Sequence, residues 1–287
     1  LLFGPTASGK SRLAVDIAKE FNCEIINADS MQVYKEIRIL SARPNNKNIM
    51  HHLYGFISVK ENFSTGSWYK LAVKKIKNIN KKGKVAIVVG GTGLYFKALT
   101  NGLSEIPTFP KKKIKPKLIK DYILKNPEVF KGIEINDKQR MYRAYTVYKH
   151  TGKPLWVWQK KNNKKFKTNE FIKIFLHPEK PEIEKRIKKR FDQMLRDGAI
   201  QETKNFRKIR VNYLNSSNFI IGLKEISEFL SKKISLNELK QKVVIRSRQY
   251  AKRQLTWQRG QMKDWKGFSD TNYLDLRKKI LSYLSKT

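Results

Sequence analysis

The stretch Gly4-Pro5-Thr6-Ala7-Ser8-Gly9-Lys10-Ser11 constrains this chain more than any other part of it. It fits the pattern G-x-x-x-x-G-K-[ST] and lies between an apolar strand, Leu1 to Phe3, and an amphipathic helix, Lys10 to Phe21. The glycines let backbone amides turn inward, and the amino end of the helix adds the positive end of its dipole, so the loop is built to hold phosphate. Lys10 supplies a point charge for a terminal phosphate, and the Ser11 hydroxyl is a candidate magnesium ligand. Around the loop, Leu13, Ala14, Ile17, Ala18 and Phe21 recur at helical spacing. Glu24 to Ala28 and Val85 to Val89 read as further strands, with a helix over Trp68 to Asn80 between them. Strands that are apolar throughout and alternate with helices predict an α/β fold, a P-loop-containing parallel sheet with both faces covered.

That pattern breaks from Glu105 to Thr168, where Pro107, Pro110, Pro116, Pro127 and the run Lys111-Lys112-Lys113 separate helical stretches around Leu118 and Arg140. A strand resumes over Phe171 to Leu176, and from Glu182 onward the period is helical with a basic face and no further strand. The expected organisation is a core of residues 1–104 and 169–287 with helical C-terminal elements, interrupted by a helical insertion over 105–168. The chain opens at Leu1 without a methionine, which reads as a strand missing its first residues, and no secretory leader is visible. Val85 to Val89 falls far short of the ~20 apolar residues of a membrane span. The single Cys23 excludes a disulfide framework and a four-cysteine zinc site, and fits a reducing, cytoplasmic compartment. One sheet with one insertion suggests a monomer.

An ATP-hydrolysing protein usually places a magnesium-holding carboxylate after a later apolar strand. Here Val85 to Val89 ends in Gly90-Gly91-Thr92-Gly93 and offers none; the nearest candidate is Asp29, after the second strand. Both strands end on the edge that carries the loop. One carboxylate, one lysine and one glycine-threonine turn thus converge on a diphosphate-sized site, suited to transfer from a diphosphate rather than hydrolysis of a triphosphate. A turn cap is the other role open to Asp29-Ser30.

Lysine plus arginine number 62 against 24 acidic residues, a net charge of +38. That excludes a typical acidic metabolic enzyme and points to a polyanionic partner, nucleic acid first, although a lysine-rich codon bias gives the same excess. Arg246, Gln249 or Tyr250, Arg253 and Trp257 recur at helical spacing, as an RNA groove or as solvated charge. Trp156 and Trp158, followed by Lys160-Lys161, read equally as stacking surface or as core. Arg190 sits beside the stripe Ile183, Ile187, Phe191 and Leu195, and spacing alone leaves it a surface arginine among Lys185, Arg186, Lys188 and Lys189. His51-His52 point apart on a strand with no cysteine or nearby carboxylate to complete a set, so no metal is assigned to them.

Taken with the loop, the segments Asp29-Ser30-Met31-Gln32-Val33-Tyr34, Val89-Gly90-Gly91-Thr92-Gly93-Leu94-Tyr95, Gln139-Arg140 with Arg143, Arg186 to Met194, Ile221-Gly222-Leu223-Lys224 and Arg248 to Trp257 resemble the tRNA dimethylallyltransferase (isopentenyl-tRNA transferase) family. The phosphate loop is shared by many families; the ordered set, spread over nearly the whole chain, is specific. The resemblance implies transfer of a dimethylallyl group from dimethylallyl diphosphate to the exocyclic amine of the adenosine 3′ to the anticodon. It implies Asp29 as general base, placed to take a proton from that amine. Thr92 would bond the base or its amine. Residues Gly4, Pro5, Thr6, Ala7, Ser8, Gly9, Lys10 and Ser11 would hold the diphosphate, with Mg2+ on Ser11, the Thr6 and Gly9 amides, and Arg190 opposing the charge that develops on it. Asp29, Ser30, Met31, Gln32 and Thr92 would face the tRNA. So would Gln139, Arg140, Met141, Tyr142 and Arg143 of the insertion, and Arg246, Lys252 and Arg253 near the end. Ser41-Ala42-Arg43-Pro44 and Leu223 depart mildly from the family pattern. Two rivals stay open: a small-molecule kinase using the same loop with ATP, and a non-catalytic basic RNA-binding protein.

Overall fold

The strand expected before the phosphate loop is present as β1 (Leu2–Phe3), inside a six-stranded parallel sheet. The computed structural model describes residues 1–45, 48–107, 109, 116–160 and 163–287. Pro110, Lys111 to Lys113 and Lys161 lie outside the described residues. The chain divides into two units, residues 1–97 with 169–287, and residues 98–168. The second begins at Ala98 rather than at Glu105.

In the larger unit β1 leads into α1 (Lys10–Glu20), β2 (Cys23–Asn27), the short β3 (His51–His52), α2 (Thr65–Asn80), β4 (Val85–Gly90) and α3 (Gly93–Asn101), which crosses into the second unit. The smaller unit carries α4 (Pro116–Lys125), α5 (Lys138–Thr151) and α6 (Leu155–Gln159). The chain then returns through β5 (Ile174–Leu176), α7 (Lys180–Arg196), α8 (Ala199–Lys208), α9 (Leu223–Leu230), α10 (Leu236–Gln261), β6 (Lys266–Phe268) and α11 (Tyr273–Leu284).

The sheet order is β3-β2-β4-β1-β5-β6. Ile25 pairs with Ile87, and Leu2 pairs with both Val89 and Ile174, so the carboxyl ends of β2, β4 and β1 meet along one edge. Every residue of β2 is buried, as a parallel strand covered on both faces requires. Leu13, Ala14 and Ile17 of α1 pack on Ile25, Ile87 and Ile174, together with Leu276 and Ile280 of α11. Each such fully buried aliphatic side chain contributes about 1.5–3 kcal/mol. A second core joins Val33, Tyr34 and Leu40 to Phe191, Met194, Ile226 and Val243. Ser64 caps α2, its hydroxyl accepting the Ser67 N–H, which starts that helix one turn before the expected Trp68.

One expectation is corrected. The region after Glu182 is not wholly helical, because Lys266–Phe268 pairs with β5 in parallel. Three residues with one central glycine carry no periodicity of their own, and the strand exists only because Ile174–Leu176 offers its free edge. Strand β5 itself starts at Ile174, not Phe171. In β3, the His52 Nε2 lies 2.7 Å from Glu24 Oε2, and His51 Nδ1 lies 2.7 Å from the Ile49 carbonyl oxygen. Among the described residues no group of three or more His, Cys, Asp or Glu is placed to hold a metal ion.

The smaller unit has its own core of Ile119, Val129, Phe130, Met141, Ala144, Val147 and Leu155, with Tyr122, Tyr145 and Trp158 around it.

Candidate active site

The loop from Gly4 to Gly9 joins β1 to α1, with Ala7 at φ +63° and Gly9 at φ +85°. Residues in the left-handed region between ordinary ones turn successive N–H groups toward one point, which makes an anion-binding hollow. At Gly9 a side chain would be strained in that conformation. Lys10 begins α1, and its Nζ donates to the Pro5 carbonyl at 3.1 Å, folded over the loop. Burial lowers the Lys10 amine to about 8; the Asp29 carboxylate opposes this shift and the Arg190 guanidinium adds to it. A bound anion favours the charged amine, so affinity for inorganic diphosphate is expected to hold below pH 7 and to weaken as pH rises through about 8. Calorimetric titration between pH 6.5 and 9.5 measures this. Lys10→Arg, which stays charged, should remove the high-pH loss.

Arg190 reaches the same loop. Its Nη2 donates to Thr6 Oγ1 at 2.7 Å, and burial lowers its pKa while Asp29 opposes that. The cause is the rotation of α7: Ile183, Ile187, Phe191 and Met194 are its buried stripe, with Met194 in the place expected for Leu195. That rotation turns position 190 toward the loop. Arg186, one turn earlier, pairs with Glu182 at 2.7 Å and reaches the Ser8 carbonyl at 3.4 Å.

Asp29 stands opposite, at the end of β2. Its N–H donates to Asn27 Oδ1 at 2.8 Å, and Asn27 Nδ2 donates to the carbonyls of Asp29 and Leu53, both at 2.9 Å. The fully buried Trp68 fixes Asn27 in turn, Nε1 donating to its carbonyl at 2.7 Å. Asp29 Oδ1 accepts the Met31 N–H at 3.0 Å, so this carboxylate caps a turn; it also shares a cavity with Lys10 and Arg190 and favours their charged forms. Thr92 Oγ1 accepts the Ser30 N–H at 2.9 Å and donates to Ser30 Oγ at 3.3 Å. Tyr250 lies near by, and burial, with Asp29 adding to it, pushes that phenol well above its ordinary range and keeps it protonated.

Gln254 of α10 is a residue that sequence reasoning missed. Its Oε1 accepts the Thr6 N–H at 2.8 Å and its Nε2 donates to the Gly91 carbonyl at 2.8 Å, tying the phosphate loop to the Thr92 turn. A Cβ at Gly91 would lie 2.1 Å from that Nε2. The Thr6 amide, expected to serve the diphosphate, is therefore already engaged, and the Thr6 hydroxyl accepts from Arg190. A polar residue in the buried register of an amphipathic helix was the only available signal for Gln254.

Lys10, Ser11, Asp29, Met31, Arg190 and Tyr250 line one cavity of about 760 Å3; Thr92 is not among its lining residues. Apolar side chains line it as well, among them Leu40, Phe191, Ile220 and Val243. Arg246 lines it too, half-exposed and paired with the buried Glu225. Arg253 lies over the Tyr250 ring, 5.8 Å from its centroid, and Lys252 is exposed. Trp257 does not share that face, because its ring sits against Gly93.

In the smaller unit Asp137 caps α5 through the Arg140 N–H at 3.0 Å. Gln139 and Arg140 are exposed. Arg143 is half-buried, its Nη2 3.4 Å from the Pro107 carbonyl. Tyr142 packs on the core and Met141 lies inside it, so the expected RNA contact of the Met141 side chain is corrected to packing. The tryptophans divide: Trp158 packs on the core, whereas Trp156 donates to the Glu128 carbonyl at 2.9 Å with Lys160 5.0 Å from its ring centroid.

A family model described as IPP transferase matches residues 32–261. A tRNA dimethylallyltransferase of Pelagibacter ubique (strain HTCC1062) is 44% identical over 279 residues, covering 92% of this chain and 89% of that protein. One from Rickettsia prowazekii (strain Madrid E) is 39% identical, with coverage of 92% and 90%. Among solved structures, the full-length tRNA isopentenylpyrophosphate transferase of Bacillus halodurans superimposes with a TM-score of 0.72 at 28% identity, over 99% of this chain and 94% of that one. A eukaryotic dimethylallyltransferase captured acting on tRNA gives 0.77 at 27% identity, over 96% and 76%.

Proposed function

The chain belongs to the IPP transferase family, and from that premise we propose that it moves the dimethylallyl group of dimethylallyl diphosphate onto the exocyclic amine of the adenosine 3′ to the anticodon of tRNA, giving isopentenyladenosine and diphosphate. The observation that carries this reading is one cavity in which Lys10 and Arg190 stand at the phosphate loop and the Asp29 carboxylate stands across from them.

In the proposed reaction the amine nitrogen forms a bond to C1 of the dimethylallyl group while the bond from C1 to the diphosphate oxygen breaks. Its electron pair leaves with the diphosphate. Lys10 and Arg190 meet the charge as it grows on the leaving oxygens, which lowers the barrier more than charge placed anywhere else. Asp29 takes the proton released from the amine. Thr92, held to Ser30 through its hydroxyl, orients the amine side. The target base must leave the anticodon-loop stack to reach this cavity.

The Ser11 hydroxyl shares the cavity with Asp29, and the described residues form no dense carboxylate cluster. Hard oxygen donors in small number suit Mg2+, an ion that keeps waters and leans on substrate phosphates. Bound through Ser11 and the diphosphate, it would supply further charge to the leaving group.

The unit of residues 98–168 would take the anticodon arm through Gln139, Arg140 and Arg143, with Ser30, Met31, Gln32, Lys252 and Arg253 facing the loop. We propose that the enzyme acts as a monomer in the cytoplasm, with its tRNA. No helix among the described residues is long and apolar enough to cross a membrane.

Incubating the protein with an anticodon stem-loop and radiolabelled dimethylallyl diphosphate tests the reading, with ATP as the control donor. Label should pass to the RNA from the first donor only. Phosphoryl transfer from ATP, or RNA binding without label, would sink it in favour of one of the two rivals.

A further inference from the structure

Outside the reacting groups, the most heavily constrained feature of the larger unit is the segment that follows the Asp29–Gln32 turn. Glu202 of α8 is 164 positions from Arg38 in the chain, yet its carboxylate accepts three consecutive backbone N–H groups. Oε1 takes Arg38 at 2.6 Å and Ile39 at 2.7 Å, and Oε2 takes Leu40 at 2.9 Å. Three successive amides aimed at one point form an anion-binding hollow, here filled by a side chain of the same protein. Just beyond them, Gln32 Nε2 donates to the carbonyls of Ser41 at 2.9 Å and Ala42 at 3.1 Å. Ala42 is held at φ +53°, a conformation that costs a non-glycine residue energy and persists only where its surroundings over-determine it. Leu40, Ser41 and Ala42 line the same cavity as Asp29 and Met31.

We propose that Glu202 is a positioning residue for the acceptor side of the reaction: by gathering the amides of residues 38–40 it sets residues 40–42 as a rigid wall, against which the Asp29–Gln32 turn is clamped and the extruded purine is received. This rests on the function proposed above. Glu202 touches no reacting atom. It acts through Leu40 and, by way of Gln32, through the turn that bears Asp29. The donor side is built from other elements, β1, α1 and α7, so loss of Glu202 should fall on the RNA and spare the diphosphate.

E202Q and E202A test this in the full chain, with kcat and KM for each substrate, the stem-loop Kd by fluorescence anisotropy without donor, and a thermal melt. Glutamine keeps one oxygen for Arg38 and Ile39 but sets an amide donor against the Leu40 N–H. The expected order is therefore graded. In E202Q the stem-loop KM and Kd rise about tenfold while the KM for dimethylallyl diphosphate stays near wild type, and E202A loses more. An unchanged stem-loop KM and Kd in folded E202Q, or equal weakening of both substrates, overturns the proposal. If E202A does not fold, E202Q decides. A wild type that binds the stem-loop but moves no label would refute the function instead, and the anisotropy comparison would still judge Glu202.

Discussion

Asp29→Asn is expected to lower kcat about 10²- to 10⁴-fold while leaving affinity for the stem-loop close to wild type. The substitution is chosen because Asp29 also holds its own turn, where its Oδ1 accepts the Met31 N–H at 3.0 Å. Asparagine retains an oxygen for that bond and the shape of the turn, whereas alanine would leave the Met31 amide without it. The carboxylate also bears on its neighbours, since it favours the charged forms of Lys10 and Arg190. Asparagine thus removes the base and weakens the support for both cations, and the two losses act on the same step. Single-turnover transfer from labelled dimethylallyl diphosphate, with the RNA affinity measured separately, gives the result. An Asp29→Asn enzyme that turns over near the wild-type rate would leave the carboxylate a turn cap and nothing more.

The second large effect is expected at Arg190. Arg190→Ala should cost about 10²- to 10³-fold in kcat, the range for removing one group that meets developing negative charge. It should also move the pH profile. Arg190 is one of the charges that depress the Lys10 amine, so its removal lets that pKa climb from about 8 toward the ordinary lysine value. The high-pH loss of diphosphate affinity should therefore appear at higher pH in the variant, in the same calorimetric series that defines the wild type. Burial is the larger cause of the Lys10 shift, so the displacement is partial. Arg190→Lys should recover only part of the rate, because an ammonium reaching over Thr6 cannot reproduce the planar fork that donates to its hydroxyl at 2.7 Å. A surface arginine would show neither the rate loss nor the moved profile.

Much of the site was legible because it is local. The phosphate loop, the helix that follows and the apolar strands β2 and β4 are each written in fewer than a dozen consecutive residues, with backbone demands that few residue types meet. Asp29 and Thr92 could be placed on one edge because parallel strands present their carboxyl ends together. Arg190 was ambiguous for the opposite reason. Whether position 190 faces solvent or the loop depends on a rotation of α7 of less than one residue, and Met194 rather than Leu195 completes its buried stripe. The strand Lys266–Phe268 was missed because it is too short to carry a period. Helical spacing places Arg246 and Trp257 together, but it carries no sign of their separate neighbours, Glu225 for the first and Gly93 for the second.

The sequence by itself determined the chemistry within reach of one turn of chain: a hollow for phosphate, a lysine to charge it, and a carboxylate at a neighbouring strand end. Only the tertiary structure decided what joins these parts. Gln254 meets Thr6 across 248 positions, Arg190 meets Thr6 across 184, and Glu202 meets residue 38 across 164. Such bonds leave no spacing to be read, because the distance between their partners is set by how helices pack on the sheet and not by how far apart they lie along the backbone.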